Sequence, residues 1–375
     1  MATQTLSKKR GLLSALVAPF LEFRITGLDI SDLSMKYASF DRGKKNKFVI
    51  NTYGEIEYPE GIIANGEIKD EQKLTEILMQ WYAKEKKNVP SPFVAISLPE
   101  EKSFIRAVQI PHIKRVEVAN AIRWEIENQI PLPLEAVNYD YEVIEPARDD
   151  QDHLDVIITA FPRDILEAYV RVVSGAGLKP YAIELESQSL VRACAPSLRD
   201  PEAKIIVDVG RTRTSFVIFA AGAILYTSTI ESGGLIFEQY IARQLNVGIE
   251  KAAQIKIKTG LDKIERNGEV FAALAPAITI IGDELVRAIS YYETHTAHIH
   301  GATPTIERIL ISGGDANLRG LDTYLSSVLR IRVQRADPFS IIKDKLAYDI
   351  PPLTRRDALV YATAIGLALR EIRQD

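Results

Sequence analysis

Residues 25–40 read ITGLDISDLSMKYASF, and residues 205–219 read IIVDVGRTRTSFVIF. Each stretch has an apolar run, an Asp, several small or hydroxyl residues, and a second apolar run ending in Phe. Asp29 falls opposite Asp208, Ser31 opposite Gly210, and Phe40 opposite Phe219. An extended run, a tight polar turn and another extended run make a β-hairpin. Such a turn offers backbone N–H groups and hydroxyls to a phosphate, and its Asp can hold a hydrated divalent metal. One copy alone reads as an ordinary hairpin. Two copies, one in each half of the chain, point to a repeated device for holding a phosphate tail.

Residues 309–321, ILISGGDANLRGL, add a third element. A buried strand runs into Ser312-Gly313-Gly314, and a helix is predicted to begin near Asn317 or Leu318. Glycines there let backbone approach a flat ring closely. Taken singly, this is a strand-to-helix turn. In company with the two hairpins it marks the end of a nucleotide site.

The chain has 375 residues, enough for two or more domains with a sizeable core. It is 46% hydrophobic and 26% charged with a net charge of −4, which argues against a nucleic-acid-coating surface. The single Cys194 has no internal disulfide partner, so a small buried residue is the expected role. The apolar run Gly11 to Leu21 is too short for a transmembrane helix and contains Pro19. Lys8, Lys9 and Arg10 precede it, but no small-residue cleavage site follows. This segment can lie on a membrane surface, or pack against its own domain or a partner, and the sequence leaves these open.

Periodicity organises the rest. Strands are predicted near residues 24–30, 35–40, 48–53 and 93–98, with Asp70 capping a helix that buries Leu74, Ile77, Leu78 and Trp81. A distinct α/β segment follows over 99–177. It has strand patterns at 104–110, 139–143 and 154–160, and a helix face of Ala119, Ile122, Ile126 and Ile130. Pro162 opens a further helix that Gly175 and Gly177 close. The second half repeats the architecture, with strands at 204–209, 214–219 and 223–230 before Gly233-Gly234. Helices are then expected at 249–258, 269–296 and 355–372. The expected division is an extension at 1–23, a first half at 24–98 and 178–198, an inserted module at 99–177, a second half at 199–350, and a C-terminal helix at 351–375 that returns to the first half. Two similar α/β halves imply a central cleft.

On these residues the chain resembles the PilM family, actin-like and FtsA-related cytoplasmic proteins of type IV pilus assembly. The hairpin from Gly27 to Lys36 looks like the family's first phosphate motif, Val207 to Thr214 its second, and Ser312-Gly313-Gly314 its adenosine motif. The more specific signal is Arg123-Trp124-Glu125-Ile126-Glu127 running into Ile130-Pro131-Leu132-Pro133-Leu134-Glu135. Tyr139-Asp140-Tyr141 and Ala176 to Pro180 add to it.

The resemblance implies an actin-like ATPase fold, two halves around a nucleotide cleft, with an inserted small subdomain. It implies ATP and Mg2+ as ligands, with Asp29 and Asp208 facing the metal through water. Asp29, Ser31, Ser34, Lys36, Asp208, Gly210, Thr212, Thr214, Gly233, Gly234, Lys256, Gly313 and Gly314 are the nucleotide-site candidates. The implied partner is the tail of a PilN-like inner-membrane protein, in a groove shaped by Arg123, Glu127, Ile130, Pro131, Leu132 and Pro133. Other pilus components and self-association are also expected, with a cytoplasmic location held at the inner membrane through the partner.

Two departures stand out. Ser31 replaces the usual Gly, and Asp32 adds a negative charge beside it. Ala253, three residues before Lys256, lacks the family's Glu. Lys36, Arg213 and Lys256 remain as phosphate or ribose contacts. Asp29 is the candidate catalytic group, but no distinctive arginine finger accompanies it, so weak or absent turnover is expected. An FtsA-like division protein and an actin-fold small-molecule kinase are the alternatives. The first lacks a C-terminal linker and amphipathic anchor here, and the second a distinctive substrate pocket. His295, His298 and His300 cluster without an evident Cys or acidic ligand, so exposed or capping roles are expected.

Overall fold

A computed structural model describes residues 24–42, 48–89, 91–144, 153–195, 202–296, 305–340 and 351–370. The N-terminal segment 1–23, His298, His300 and the last residues of the expected C-terminal helix lie outside the described residues.

The first quoted stretch forms β1 (Thr26–Ile30) and β2 (Ser34–Arg42), followed by β3 (Phe48–Glu57). A short hairpin, β4 (Ile63–Ala64) and β5 (Glu67–Ile68), leads to α1 (Glu71–Glu85). Asp70 caps this helix by accepting from Lys73 N–H at 2.8 Å, and Leu74, Leu78 and Trp81 are buried beneath it. Strand β6 (Phe93–Leu98) then enters the sheet.

The inserted segment contributes β7 (Phe104–Pro111), α2 (Arg115–Gln129), β8 (Val137–Ile144) and β9 (His153–Pro162). Its three strands form an antiparallel sheet in the order β7-β9-β8, leaving β8 on an edge. Val108, Val118, Ile122, Ile126, Ile130, Val137, Val156 and Ile158 close a core separate from the rest of the molecule. Val118 takes the place expected for Ala119, which is exposed. Helix α3 (Arg163–Gly175) packs elsewhere. Its Tyr169, Val172 and Val173 join the main core, and Tyr169 donates to the Gly66 carbonyl at 3.0 Å.

Strand β10 (Lys179–Leu185) returns to the first sheet and runs directly into α4 (Glu186–Cys194). The second half opens with β11 (Ala203–Val209), β12 (Thr214–Ala220) and β13 (Ala223–Ile230). Helices α5 (Gly234–Leu245), α6 (Ile249–Thr259) and α7 (Glu269–Tyr291) follow. Strand β14 (Ile306–Ser312), α8 (Leu321–Leu329) and β15 (Arg332–Arg335) complete it.

The two large sheets have one topology. The first runs β3-β2-β1-β6-β10 and the second β13-β12-β11-β14-β15. In each, a meander of three antiparallel strands is extended by two parallel ones. The register repeats as well, with Asp29 opposite Lys36 and Asp208 opposite Ser215.

The chain ends in α9 (Arg355–Ala358), a tight turn over Leu359–Tyr361, and α10 (Ala362–Ala368). This corrects the single helix expected from the periodicity. Leu367 packs with Ile25, Ala95 and Ala182, which returns the chain to the first sheet. Helix α8 starts at Leu321, later than expected. A short turn over Gly314–Asn317 and a left-handed Gly320 intervene. Among the described residues no helix is long and apolar enough to cross a membrane.

Candidate functional site

The two hairpin turns and the Gly313 turn enclose a cavity of about 250 Å³ between the sheets. Its walls include Asp29, Ser31, Ser34 and Lys36 from the first hairpin, Asp208, Gly210 and Thr212 from the second, and Gly313 and Gly314. Ser31 N–H donates to the Ser34 carbonyl at 2.9 Å, and Gly210 N–H donates to the Arg213 carbonyl at 2.9 Å. The two turns are therefore closed in the same way. Gly313 has φ +88°, and a Cβ there would lie 2.4 Å from the Val209 carbonyl oxygen, so only glycine fits.

Different groups hold the two turns from behind. The Tyr58 hydroxyl sits against the Ser31 and Ser34 carbonyl oxygens, the latter at 3.0 Å. In the second turn, Gly234 N–H donates to the Gly210 carbonyl at 3.0 Å and Leu235 N–H to the Arg211 carbonyl at 2.8 Å. The N-terminus of α5 is thus committed to the turn. Gly233 and Gly234 support the cavity without lining it. Thr214 does the same, because its hydroxyl donates to the Ser232 carbonyl at 2.6 Å.

The floor is acidic. Burial pushes the Asp29 carboxyl up, against the pull of Lys36 and of the Ser97 hydroxyl, which donates at 3.1 Å. Burial, helped by the Asp29 charge, pushes Asp208 up to about 6. Burial also opposes the Lys36 charge, but Asp29, Glu55 and Asp208 outweigh it and hold the ammonium above its usual range. Glu186 joins this floor at the first residue of α4. Burial and the charges of Asp29, Glu100 and Asp208 hold it well above the ordinary carboxyl range. Sequence reasoning missed it. The signal was its place at the carboxyl end of a parallel strand, where ligands of α/β sheets gather.

Lys256 lies outside the cavity walls. It pairs with Glu238 at 2.8 Å and Asp315 at 2.5 Å, so these two acids supply the partner that Ala253 lacks. Arg213 is engaged by Asp32 of the first half and by Glu101 on the turn between β6 and β7. His295 stacks on Tyr291 with ring centroids 4.8 Å apart, and the described residues contain no group of three His, Cys, Asp or Glu side chains placed to hold a metal. Cys194 is buried, and burial pushes its thiol up to about 12, as suits an inert core residue.

A family model described as type IV pilus assembly protein PilM matches residues 27–372. The chain belongs to the PilM family. The structure of a PilM-PilN type IV pilus biogenesis complex matches 94% of this chain and 99% of that one, with 21% identity and a TM-score of 0.76. MreB5 of Spiroplasma citri bound to ADP matches 86% of this chain and 94% of its own, at 14% identity and a TM-score of 0.54. The cell shape-determining protein Mbl of Bacillus cereus is 24% identical over 189 residues, which are 43% of this chain and 56% of Mbl. The chain thus spans about half the length of the curated relatives it matches. These likenesses establish the actin-like fold.

In this PilM-family chain the proline segment packs on the inserted module. Ile130 is 5% exposed and faces the inserted module's own core, because it ends the buried stripe of α2. Leu132 is half-buried against the same core, while Arg123, Glu127, Pro131 and Pro133 are exposed. Arg123 reaches the Tyr139 hydroxyl at 3.3 Å.

A groove of about 490 Å³ lies instead where the inserted sheet meets β10, α4 and the tip of the β12–β13 hairpin. Ile157, Phe161, Leu166, Ile183, Val191 and Ala223 give it an apolar lining, with Asp140 and Glu142 on β8 at one side. None of the six residues expected at the partner site lines it. The proline pattern marks how α2 ends, whereas the groove is built from elements that sequence order keeps apart.

Proposed function

We propose that this chain is a cytoplasmic scaffold of type IV pilus assembly that captures the N-terminal tail of a PilN-like inner-membrane protein. Capture holds it peripherally at the membrane. We further propose that the cleft binds Mg-ATP, with weak or no turnover. The observation that carries the scaffold reading is the groove beside β8, an edge strand of the inserted sheet among the described residues. An extended peptide can add main-chain hydrogen bonds to such an edge while its side chains enter the lining. The PilM-PilN complex, with its similar fold, supports a partner of that kind.

The cleft residues fit a nucleotide and a divalent ion. The two turns converge, Gly313 lets its turn pack against the Val209 backbone at the cavity wall, and Asp29 and Asp208 supply carboxylates of the type that bind hydrated Mg2+. In this reading Ser31, Ser34, Gly210 and Thr212 face the phosphates, and Gly313 and Gly314 the adenosine. Bound Mg2+ would neutralise phosphate charge. Hydrolysis also needs a base for water, and Glu186 is held towards its protonated form, which makes it a poor one.

Titration calorimetry with a synthetic tail peptide tests the scaffold reading. Micromolar binding that is lost in Leu166→Glu, with unchanged thermal stability, is expected. Full affinity in that variant would move the site elsewhere. The nucleotide reading fails if the folded protein takes up no Mg-ATP at millimolar concentration.

A further inference from the structure

At the mouth of the cleft a carboxylate occupies a small nest of donors. Strands β4 and β5 are joined by Asn65-Gly66, with φ 50° and 72°. Two residues in the left-handed region make the tight hairpin turn that Asn-Gly favours. Its tip presents two backbone N–H groups to Asp32. Asn65 N–H donates to Oδ2 at 3.2 Å, and Gly66 N–H to Oδ1 at 3.0 Å. The Arg213 guanidinium, from the opposite half of the molecule, closes on Oδ2 from the other side. Its second nitrogen meets Glu101 on the turn between β6 and β7. Asp32, Gly66 and Arg213 all border the cavity that the two phosphate turns enclose.

We propose that Asp32 is a resident anion in a site for the terminal phosphate of a nucleoside triphosphate, and that Arg213 exchanges the Asp32 carboxylate for that phosphate on binding. The inference rests on the nucleotide reading of the cleft. An arginine fork matches carboxylate and phosphate oxygens equally well, and backbone N–H groups accept either anion. The side chains of Arg213 and Asp32 are only 18% and 12% exposed, so solvent screens the pair weakly. A negative group already sitting between the donors repels an incoming phosphate and must yield Arg213 to it. Glu101 keeps the guanidinium at the mouth while the exchange occurs. The cleft is then latched by Asp32 before binding and by the triphosphate after it. A diphosphate, which lacks the terminal group, leaves the latch as it is.

Calorimetry with Mg-ATP and Mg-ADP on the full chain, Asp32→Asn, Arg213→Gln and the double variant tests this. Asn keeps an acceptor for one of the two N–H groups and removes the charge. Asp32→Asn is expected to tighten Mg-ATP about tenfold and to leave Mg-ADP within about twofold. Arg213→Gln is expected to weaken Mg-ATP about tenfold with little change in Mg-ADP, and to abolish the gain from Asp32→Asn in the double variant. Thermal unfolding of each protein confirms that it is folded, and Asp32→Ser replaces the Asn variant if that one is not. Equal shifts for both nucleotides would reduce the pair to a plain lock between the halves and overturn the exchange. So would unchanged affinities, or an Asp32→Asn gain that survives in the double variant. If none of the proteins binds either nucleotide, the nucleotide reading itself falls and takes the exchange with it.

Discussion

The two hairpins share a register and a turn closure, yet they are held by unrelated chemistry. In the first, a tyrosine hydroxyl from beyond β3 satisfies the turn carbonyls. In the second, the opening N–H groups of α5 do so. Each solution removes the same problem, an unmet carbonyl beside a buried acid. The difference teaches that the repeated element is the turn's shape. The place of the support repeats too, since Tyr58 follows β3 and Gly233-Gly234 follow β13, while the groups that supply it differ.

The sharpest way to break the comparison is Gly233→Ala. A Cβ there would lie 2.5 Å from the Gly210 carbonyl oxygen and 2.8 Å from that of Arg211. Backbone must move, so α5 separates from the turn. A loss of roughly 3 kcal/mol in denaturant unfolding is expected. A loss below about 1 kcal/mol would mean that the turn is not held from this side.

The aspartates come next, and the prediction has a sign. Burial raises the folded-state pKa of Asp208 from 3.8 to about 6. The folded protein therefore binds the proton more tightly than the unfolded chain does. Stability falls as pH climbs through that window and levels above it. Asp208→Asn, which imitates the neutral acid, should stabilise the nucleotide-free protein by up to about 3 kcal/mol at pH 7. The gain should vanish below about pH 4, and Mg-ATP affinity should drop at the same time. Asp29→Asn should act with the same sign, since burial raises that carboxyl too. Thermal melts across pH 4 to 8 check both, and a pH-independent gain would refute the assignment.

Tyr58→Phe is the counterpart of Gly233→Ala on the other hairpin. It deletes one hydroxyl and leaves the Ser31 carbonyl short of a donor, while the Ser34 carbonyl keeps the N–H and hydroxyl of Ser31. About 1–2 kcal/mol should be lost, less than for Gly233→Ala because no backbone is displaced. If Tyr58→Phe proves the larger of the two, the ranking of the two supports is reversed.

Much of this was readable in advance because it is local. The Asp at the end of one strand and the small residues of the turn are neighbours in the chain, so the hairpins, Gly313 and the separate inserted core follow from spacing. Asp70 announced its cap for the same reason. What escaped came from groups that the fold brings together over long separations. Glu186 reaches the floor from a strand that pairs with β6, Asp32 is gripped from 65–66 and 213, and Lys256 finds Glu238 and Asp315. Ile130 is a different case. Its pattern is conspicuous, yet it serves the packing of α2.

The smallest effect is expected at Ser31, where the hairpins differ by one side chain. Gly210 has no Cβ, and one built there would stand 3.0 Å from the Arg213 carbonyl oxygen. Ser31 carries its Cβ into the cavity wall and folds its hydroxyl back to donate to the Ser34 carbonyl at 2.9 Å. That carbonyl already accepts from Ser31 N–H and meets Tyr58, so the hydroxyl bond is partly redundant. Ser31→Gly should therefore lose only about 1 kcal/mol, from this bond and from added freedom in the unfolded chain. It also widens the approach to the turn and makes the first hairpin more like the second. Mg-ATP should bind about threefold tighter, a gain of under 1 kcal/mol. Calorimetry beside a thermal melt separates the two terms. Weaker binding in a folded Ser31→Gly protein would show that the hydroxyl itself contacts the phosphate, and that the first hairpin replaces backbone room with a side-chain donor.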